Sequence, residues 1–368
     1  IIQMEAPIAY KRYVRVLMAC AFLGASSCKK DEAPILPEAL EAASLEVPAN
    51  FPKAPQDPDN PLTKQGIVLG RLLFYDTRLS GSNKLSCASC HKPELAFSDG
   101  IALTSIGESG IPLPRHSPAL INLAWANNGL FWDGGSTNLE SQAFAPLTSP
   151  DEMHQNLSEL EYELKQVPDY VNRFKLVFGS EIKSNLVVKA LAQFERTLIS
   201  GNSRYDRYIR KEPNASLTSL ELDGMALVNS KCGGCHSGVL FTDNGYHNNG
   251  LDSDFSNDTH DGIYQGRYRI SYDPADKGKF KTPTLRNVML TAPYMHDGRF
   301  ASLDAVLEHY NKGIKPSPTL DALARQSNGQ AGIPLTAGEK AAITAFLQTL
   351  TDDSFISSKK LNNPNQSK

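Results

Sequence analysis

The sequence predicts a mainly α-helical chain in which two small helical domains pack together, each organised around one copy of Cys-x-x-Cys-His. Three observations lead there. Apolar residues recur at helical spacing in several segments, while no stretch alternates convincingly with period two. The five-residue motif occurs twice, at Cys87–Cys90–His91 and at Cys232–Cys235–His236. Each copy follows a helix-length amphipathic lead-in, so one plan runs twice along the chain, roughly 145 residues apart. With 368 residues, 40% hydrophobic and 21% charged, the chain is long enough for two separate cores.

The motif carries specific chemistry. Its spacing lets two thiols add to the vinyl groups of one haem while the adjacent histidine ligates the iron. Four of the six cysteines are used in this way. The competing readings are a zinc site and a pair of redox dithiols. Zinc knuckles seldom place histidine directly after the second cysteine in both halves, and no βαβ pattern surrounds either motif. The expectation is therefore two covalently bound c-type haems, with His91 and His236 as proximal ligands. A helix ending just before Cys-x-x-Cys-His is how small c-type cytochromes begin, which makes the expected fold two cytochrome c-like haem domains packed together.

The elements follow in order. Lys11, Arg12 and Arg15 precede a short apolar stretch, Val16 to Gly24, and then Ala25-Ser26-Ser27-Cys28. That run is too short to span a bilayer and reads as a cleaved export signal over residues 1–28. The small residues before Cys28 resemble a bacterial lipoprotein cleavage site; Cys20 fits more loosely, and an ordinary signal peptide is the plainer alternative. The mature chain is expected in the periplasm, tethered to a membrane by lipid. Residues 29–62, rich in proline, read as an extended tether. Helical patterns follow at Leu62–Tyr75, Leu157–Gln166, Tyr170–Phe178 and Leu186–Ser200, then at Leu217–Ser230, Leu303–Tyr310 and Ala337–Leu350. Residues 238–280, dense in Gly, Asp and Asn, read as loop. The expected domains are 63–205 and 206–352, with 353–368 a flexible tail. A net charge of −3 without any Lys/Arg cluster gives no case for nucleic-acid binding.

The residues leave the far face of each iron open. A strong ligand there makes an electron carrier, and a vacant position admits peroxide. Six further histidines (His116, His154, His247, His260, His296, His309) and the methionines are candidates, and spacing does not choose among them.

Five strings add what spacing cannot: Leu-Phe-Tyr-Asp-Thr-Arg-Leu-Ser (73–80), Pro-Arg-His-Ser-Pro (114–118), Phe-Trp-Asp-Gly (131–134), Thr-Pro-Thr-Leu-Arg-Asn (282–287) and Ala-Pro-Tyr-Met-His-Asp-Gly (292–298). Together they resemble the bacterial di-haem cytochrome c peroxidase family, with its MauG-like subgroup, over most of residues 61–350. The resemblance implies a peroxidatic N-terminal haem and an electron-transferring C-terminal one. It implies Trp132 as a relay between them, against the bland alternative of a packed core aromatic. It also implies Gln142 and Glu152 as distal-pocket groups, with Pro146 beside them. For Glu152 the alternative is an acidic residue opening a helix.

Two departures from the family pattern stand out. Where many members carry a switching histidine after the first haem, this chain has Glu108; His116 is the nearest substitute. Where peroxidases place a methionine distal to the second haem, this chain has Tyr310, as in the MauG-like subgroup. Register sets Met295 away from that ligand position, and the alternative is that Tyr310 merely packs, with His309 or solvent on the iron. The family's calcium ion maps to Thr291 and Pro293, with His116 in place of a third ligand, an asparagine; Asp252–Asp261 is a weaker alternative.

The expected function is reduction of hydrogen peroxide to water with electrons from an external donor such as a small cytochrome. The alternatives are a MauG-like oxidase acting on a partner protein or small molecule, and a non-catalytic electron carrier. Members of the family often form homodimers.

Overall fold

The computed structural model describes residues 39–365. The expected export signal, with Cys20 and Cys28, lies outside the described residues. Among those described, no helix is long and apolar enough to cross a membrane.

The duplicated plan appears as two helix crossings of one kind. The first lead-in is the helix Lys64–Phe74, begun by Thr63, whose hydroxyl accepts the Gly66 N–H at 3.0 Å. Its Leu69, Leu73 and Phe74 are fully buried. It crosses the helix Ser184–Glu195 at Gly70, where a Cβ would stand 1.9 Å from the Ala190 carbonyl oxygen. The second lead-in is Ser219–Leu227, capped by reciprocal bonds between Thr218 and Glu221. It crosses Ala337–Gln348 at Gly224, where a Cβ would again stand 1.9 Å from a carbonyl oxygen, that of Ala342. Each crossing requires glycine because backbone meets backbone without room for a methyl group.

Two hydrophobic clusters surround these crossings. One gathers Leu73, Phe74, Phe97, Leu160, Phe174 and Phe194, with the helices Leu157–Lys165 and Pro168–Phe178 covering it. The other gathers Val228, Phe241, Leu307, Ile343, Phe346 and Leu350. The expected boundary at 205/206 cuts through a helix, Arg204–Ile209. Asp206 on that helix is fully buried and receives two 2.8 Å hydrogen bonds from the equally buried Arg286. This bidentate pair pins the helix to the second cluster's surroundings.

Three expectations are corrected. The described part of the tether, residues 39–62, has no helix but is docked. Phe51 is buried edge-on against Trp125 with ring centroids 5.4 Å apart, and Asn50 donates to Asp206 at 2.9 Å. Proline content excluded a helix there but said nothing about docking, which one aromatic side chain supplies. The tail is likewise packed through residue 362. Asp353–Ile356 is a helical turn capped by Asp352, Phe355 is 4% exposed, and Arg71 donates to the carbonyls of Lys359 and Asn362. The third correction is the 205/206 boundary, which falls inside the helix Arg204–Ile209; a further helix, Leu139–Thr148, not among the expected ones, carries Pro146 within it. The loop-like stretch 238–280 contributes the two-residue antiparallel pairing of Tyr246–His247 with Phe280–Lys281.

Candidate active site: two Cys-x-x-Cys-His cradles and the residues between them

The second lead-in helix continues directly into its motif, whereas residues 75–86 separate the first lead-in, which ends at Phe74, from Cys87. Cys87–Cys90 forms one helical turn with a capping box between Ser86 and Ser89. The chain then bends back through left-handed Ala96 and Phe97, and the Phe97 carbonyl accepts from His91 Nδ1 at 2.9 Å. In the second cradle a π-helical turn, Val228–Cys232, leads into the motif, and the Phe241 carbonyl accepts from His236 Nδ1 at 3.2 Å. Committing Nδ1–H to a carbonyl fixes the tautomer and leaves Nε2 with its lone pair free for a metal. Burial lowers the pKa of both histidines, so they stay neutral.

The four motif cysteines are free thiols. Burial raises Cys87 and pushes Cys90 and Cys232 up to about 11. A cavity of about 480 Å³ is lined by Cys232, Cys235 and His236, by Tyr310 and Met295, and by Trp132. Its volume is in the range that holds cofactors, roughly 300–1,000 Å³. Two thiols plus one oriented imidazole nitrogen is the donor set of a c-type haem, and both cradles present it. The residues fit the group.

Glu152 faces the first cradle, close enough to Cys90 to act on it electrostatically. It does not open a helix; it sits in the turn that follows Leu139–Thr148. The Met153 N–H donates to the Pro146 carbonyl at 3.0 Å, closing that turn, and the Glu108 N–H donates to the Glu152 carbonyl at 2.8 Å. Burial first, then the neighbouring Asp151, pushes the Glu152 carboxyl up to about 7. Glu108 is turned away to Ser82, whose hydroxyl donates to it at 2.5 Å and holds its pKa low. Gln142, on Leu139–Thr148, is nearly buried and reaches the cavity wall beside Trp132.

Trp132 is no core aromatic; that role falls to Trp125. The Trp132 indole N–H donates to the His116 carbonyl at 2.8 Å. His116 is in turn near enough to His91 to influence its charge. Trp132 therefore lines the cavity of the second cradle while bonded to a residue beside the first. Next to it, Asp133 is buried between Arg115 at 2.8 Å and Arg269 at 2.9 Å, which anchors the Phe-Trp-Asp-Gly turn.

The remaining histidines now have places. His116 donates from Nδ1 to the Ile101 carbonyl at 2.7 Å, with Nε2 3.4 Å from the Ser98 hydroxyl. His309 donates from Nε2 to the Asn249 carbonyl at 3.0 Å. His296 stacks flat on Phe280 at 3.6 Å, and burial pushes it down to about 4. His247 lies between Asp321 at 2.6 Å and Asp243 at 2.8 Å. The Cys235 thiol, Asp321 and Asp243 together outweigh burial and push it up to about 10.

Tyr310 begins where the helix Leu303–Glu308 passes into a π-helical turn, His309–Gly313. Burial pushes its phenol up to about 12. Met295 lies in the same cavity rather than away from it. Its sulfur is 3.5 Å from Asn249 Nδ2, which is also 3.4 Å from Tyr310 Oη. Thr291, Pro293 and His116 share the cavity wall. In the Asp252–Asp261 stretch, Asp252 is paired with Arg299 and Lys315.

Two groups had no usable sequence signal. Asn249 sits in an unremarkable His-Asn-Asn-Gly stretch, and Glu195 looks like any helix-terminal acid. Yet Glu195 is 4% exposed, has an unpartnered Oε2, lies near Cys87, and is pushed up to about 8 by burial.

Comparison with known proteins agrees with this geometry. A family profile described as di-haem cytochrome c peroxidase matches residues 64–214. The methylamine utilization protein MauG of Methylorubrum extorquens is 40% identical over 80% of this chain and 81% of its own length. The cytochrome c551 peroxidase of Nitrosomonas europaea is 34% identical over 86% of this chain and 88% of its own. A solved MauG-like protein associated with microbial copper homeostasis superposes with a TM-score of 0.77 at 35% identity, covering 88% of this chain and 99% of that one. The chain belongs to the di-haem cytochrome c peroxidase family, whose members are oxidoreductases carrying two c-type haems.

Proposed function

We propose that the protein reduces hydrogen peroxide to water at the Cys87–Cys90–His91 cradle, drawing two electrons from an external donor through the Cys232–Cys235–His236 cradle. The observation that carries this reading is the placement of Glu152, a partly buried carboxyl beside Cys90 of the first cradle whose pKa desolvation raises to about 7. Haem, when bound, supplies the metal that receives the peroxide and passes electrons to it. The chain's own groups manage protons and position. Glu152 as carboxylate takes the proton of the peroxide oxygen nearer the metal and as acid returns it to the departing oxygen. The balance is one peroxide, two electrons and two protons to two waters. Gln142, which lies on the cavity wall with Trp132, is given the role of orienting peroxide with its amide by the family resemblance alone. Trp132, fixed by the His116 carbonyl, offers an oxidisable ring that splits one long electron transfer into two shorter ones.

The two hydrophobic clusters suit one haem domain each, near the expected 63–205 and 206–352 but with the helix Arg204–Ile209 kept whole and Phe355 joined to the first. Tyr310 would join His236 in holding the second haem, since both line its cavity, and an oxygen donor there would favour the ferric and higher states. That feature also favours the second reading, a MauG-like oxidase acting on a partner protein or small molecule. A small cytochrome is the donor in the first reading. Periplasmic location, lipid attachment at Cys28, a homodimer, and a calcium ion held partly by Thr291 and Pro293 main-chain oxygens are further parts of the proposal. The deciding experiment mixes the purified di-haem protein with peroxide and a reduced small cytochrome. Sustained oxidation of the cytochrome supports the peroxidase; its absence, with both haems in place, overturns it in favour of the oxidase.

A further inference from the structure

We propose that Asn249 is the positioning residue that gives Tyr310 the place opposite His236, and that Met295 is held in reserve for the same place. The inference rests on the reading of Tyr310 as that ligand and adds what sets the choice.

The geometry singles out one amide. Tyr310, Met295 and His236 line one cavity. Asn249 Nδ2 is 3.4 Å from Tyr310 Oη and 3.5 Å from Met295 Sδ. The contact to the phenol oxygen is at the outer edge of hydrogen-bonding distance while that to the larger sulfur atom is of ordinary length, so one amide is shared between the two. It cannot drift, because its backbone is fixed from two sides. The Asn249 carbonyl accepts from His309 Nε2 at 3.0 Å. The buried neighbour Asn248 donates to Ser317 at 3.0 Å and to Thr319 at 2.9 Å.

Chemistry then decides between the two acceptors. An amide N–H bonds strongly to an oxygen bearing negative charge and weakly to a thioether. Asn249 therefore rewards an oxygen ligand on the metal and does little for sulfur. Met295 is otherwise well suited to the position: it is unbranched, reaches the cavity, and is presented by a left-handed backbone, with φ 75°. Remove the phenol oxygen and the Met295 sulfur remains as a soft donor in the same cavity. Thioether ligation raises a haem potential where tyrosine ligation lowers it.

The test uses the full-length protein with both haems, comparing ferric absorption and magnetic resonance spectra and the midpoint potential of the second haem. The set is wild type, Tyr310→Phe, Tyr310→Phe/Met295→Leu, Asn249→Leu and Asn249→Ala, each checked for two haems per chain. Tyr310→Phe should lose the tyrosinate signature, gain that of methionine-ligated ferric haem, and shift the potential upward. The double variant should lose the methionine signature. The Asn249 variants should show a mixture of the two signatures and an intermediate upward shift. If wild type and Tyr310→Phe share one spectrum, the reading of Tyr310 fails and takes this inference with it. If they differ but Tyr310→Phe has no methionine signature, or the double variant keeps it, Met295 is not the reserve. If both Asn249 variants match wild type in spectrum and potential, the amide has no part in the choice.

Discussion

Replacing Glu152 by glutamine removes a titrating proton carrier while keeping size and polarity. Burial and Asp151 raise this carboxyl from the usual 4.5 to about 7, a shift worth on the order of 3 kcal/mol between its charged and neutral forms. At neutral pH about half the molecules then hold the carboxylate that starts the reaction, and its conjugate acid is strong enough to finish it. A carboxyl at its usual value would be nearly all ionised and slow to return the proton. General acid–base help of this kind is worth roughly 10²–10⁴-fold, or about 3–5 kcal/mol. The assay is stopped-flow mixing of the ferric protein with peroxide, recording the second-order rate as a function of pH. Wild type should show a rate rising through an apparent pKa of about 7, and Glu152→Gln should be slower by that factor with the rising limb gone. A glutamine variant that keeps both rate and limb refutes the assignment. Stability moves the other way. The folded state holds this proton between 4.5 and about 7 where the unfolded chain has released it, so the site's contribution falls as pH rises through that window. Glutamine should flatten that slope.

Gly70→Ala and Gly224→Ala should each destabilise by about 1–3 kcal/mol, because a methyl group 1.9 Å from a carbonyl oxygen forces a helix pair apart; unchanged denaturant midpoints in both would show that the crossings are looser than drawn. Asp206→Ala should cost about 3–5 kcal/mol by stranding Arg286 without exposure to water. Burial raises Asp206, but Arg286, Ser203 and Asn50 outweigh it and hold its folded pKa below the usual 3.8. The pair's stabilisation is thus present above that value and lost as pH falls through the folded one, so acid denaturation curves of wild type and variant should converge at low pH. Phe355→Ala should cost about 3–5 kcal/mol if the tail is the packed element that its contact with Phe97 describes; an unchanged melting temperature would restore the picture of a free tail.

The sequence alone determined what depends on local spacing. Two Cys-x-x-Cys-His motifs set the covalent chemistry because thioether bonds and an adjacent proximal histidine need only neighbouring residues. The lead-in helices were legible from their periodicity, whereas the roles expected of Trp132, Gln142, Glu152 and Tyr310 came from the family resemblance and not from spacing. What tertiary structure decided is everything that depends on which surfaces meet. Packing tolerates Pro146 inside the helix Leu139–Thr148, and Phe51 and Phe355 turned an expected tether and tail into docked segments. The Nε2 of His309 was occupied by a carbonyl remote in sequence, that of Asn249. Met295 entered the second cavity, although register had set it aside. A pKa near 7 for Glu152 is likewise a property of burial, and burial is not written in any five-residue string. Local covalent chemistry is encoded residue by residue; desolvation and hydrogen-bond partnership arise only when distant parts of the chain come together.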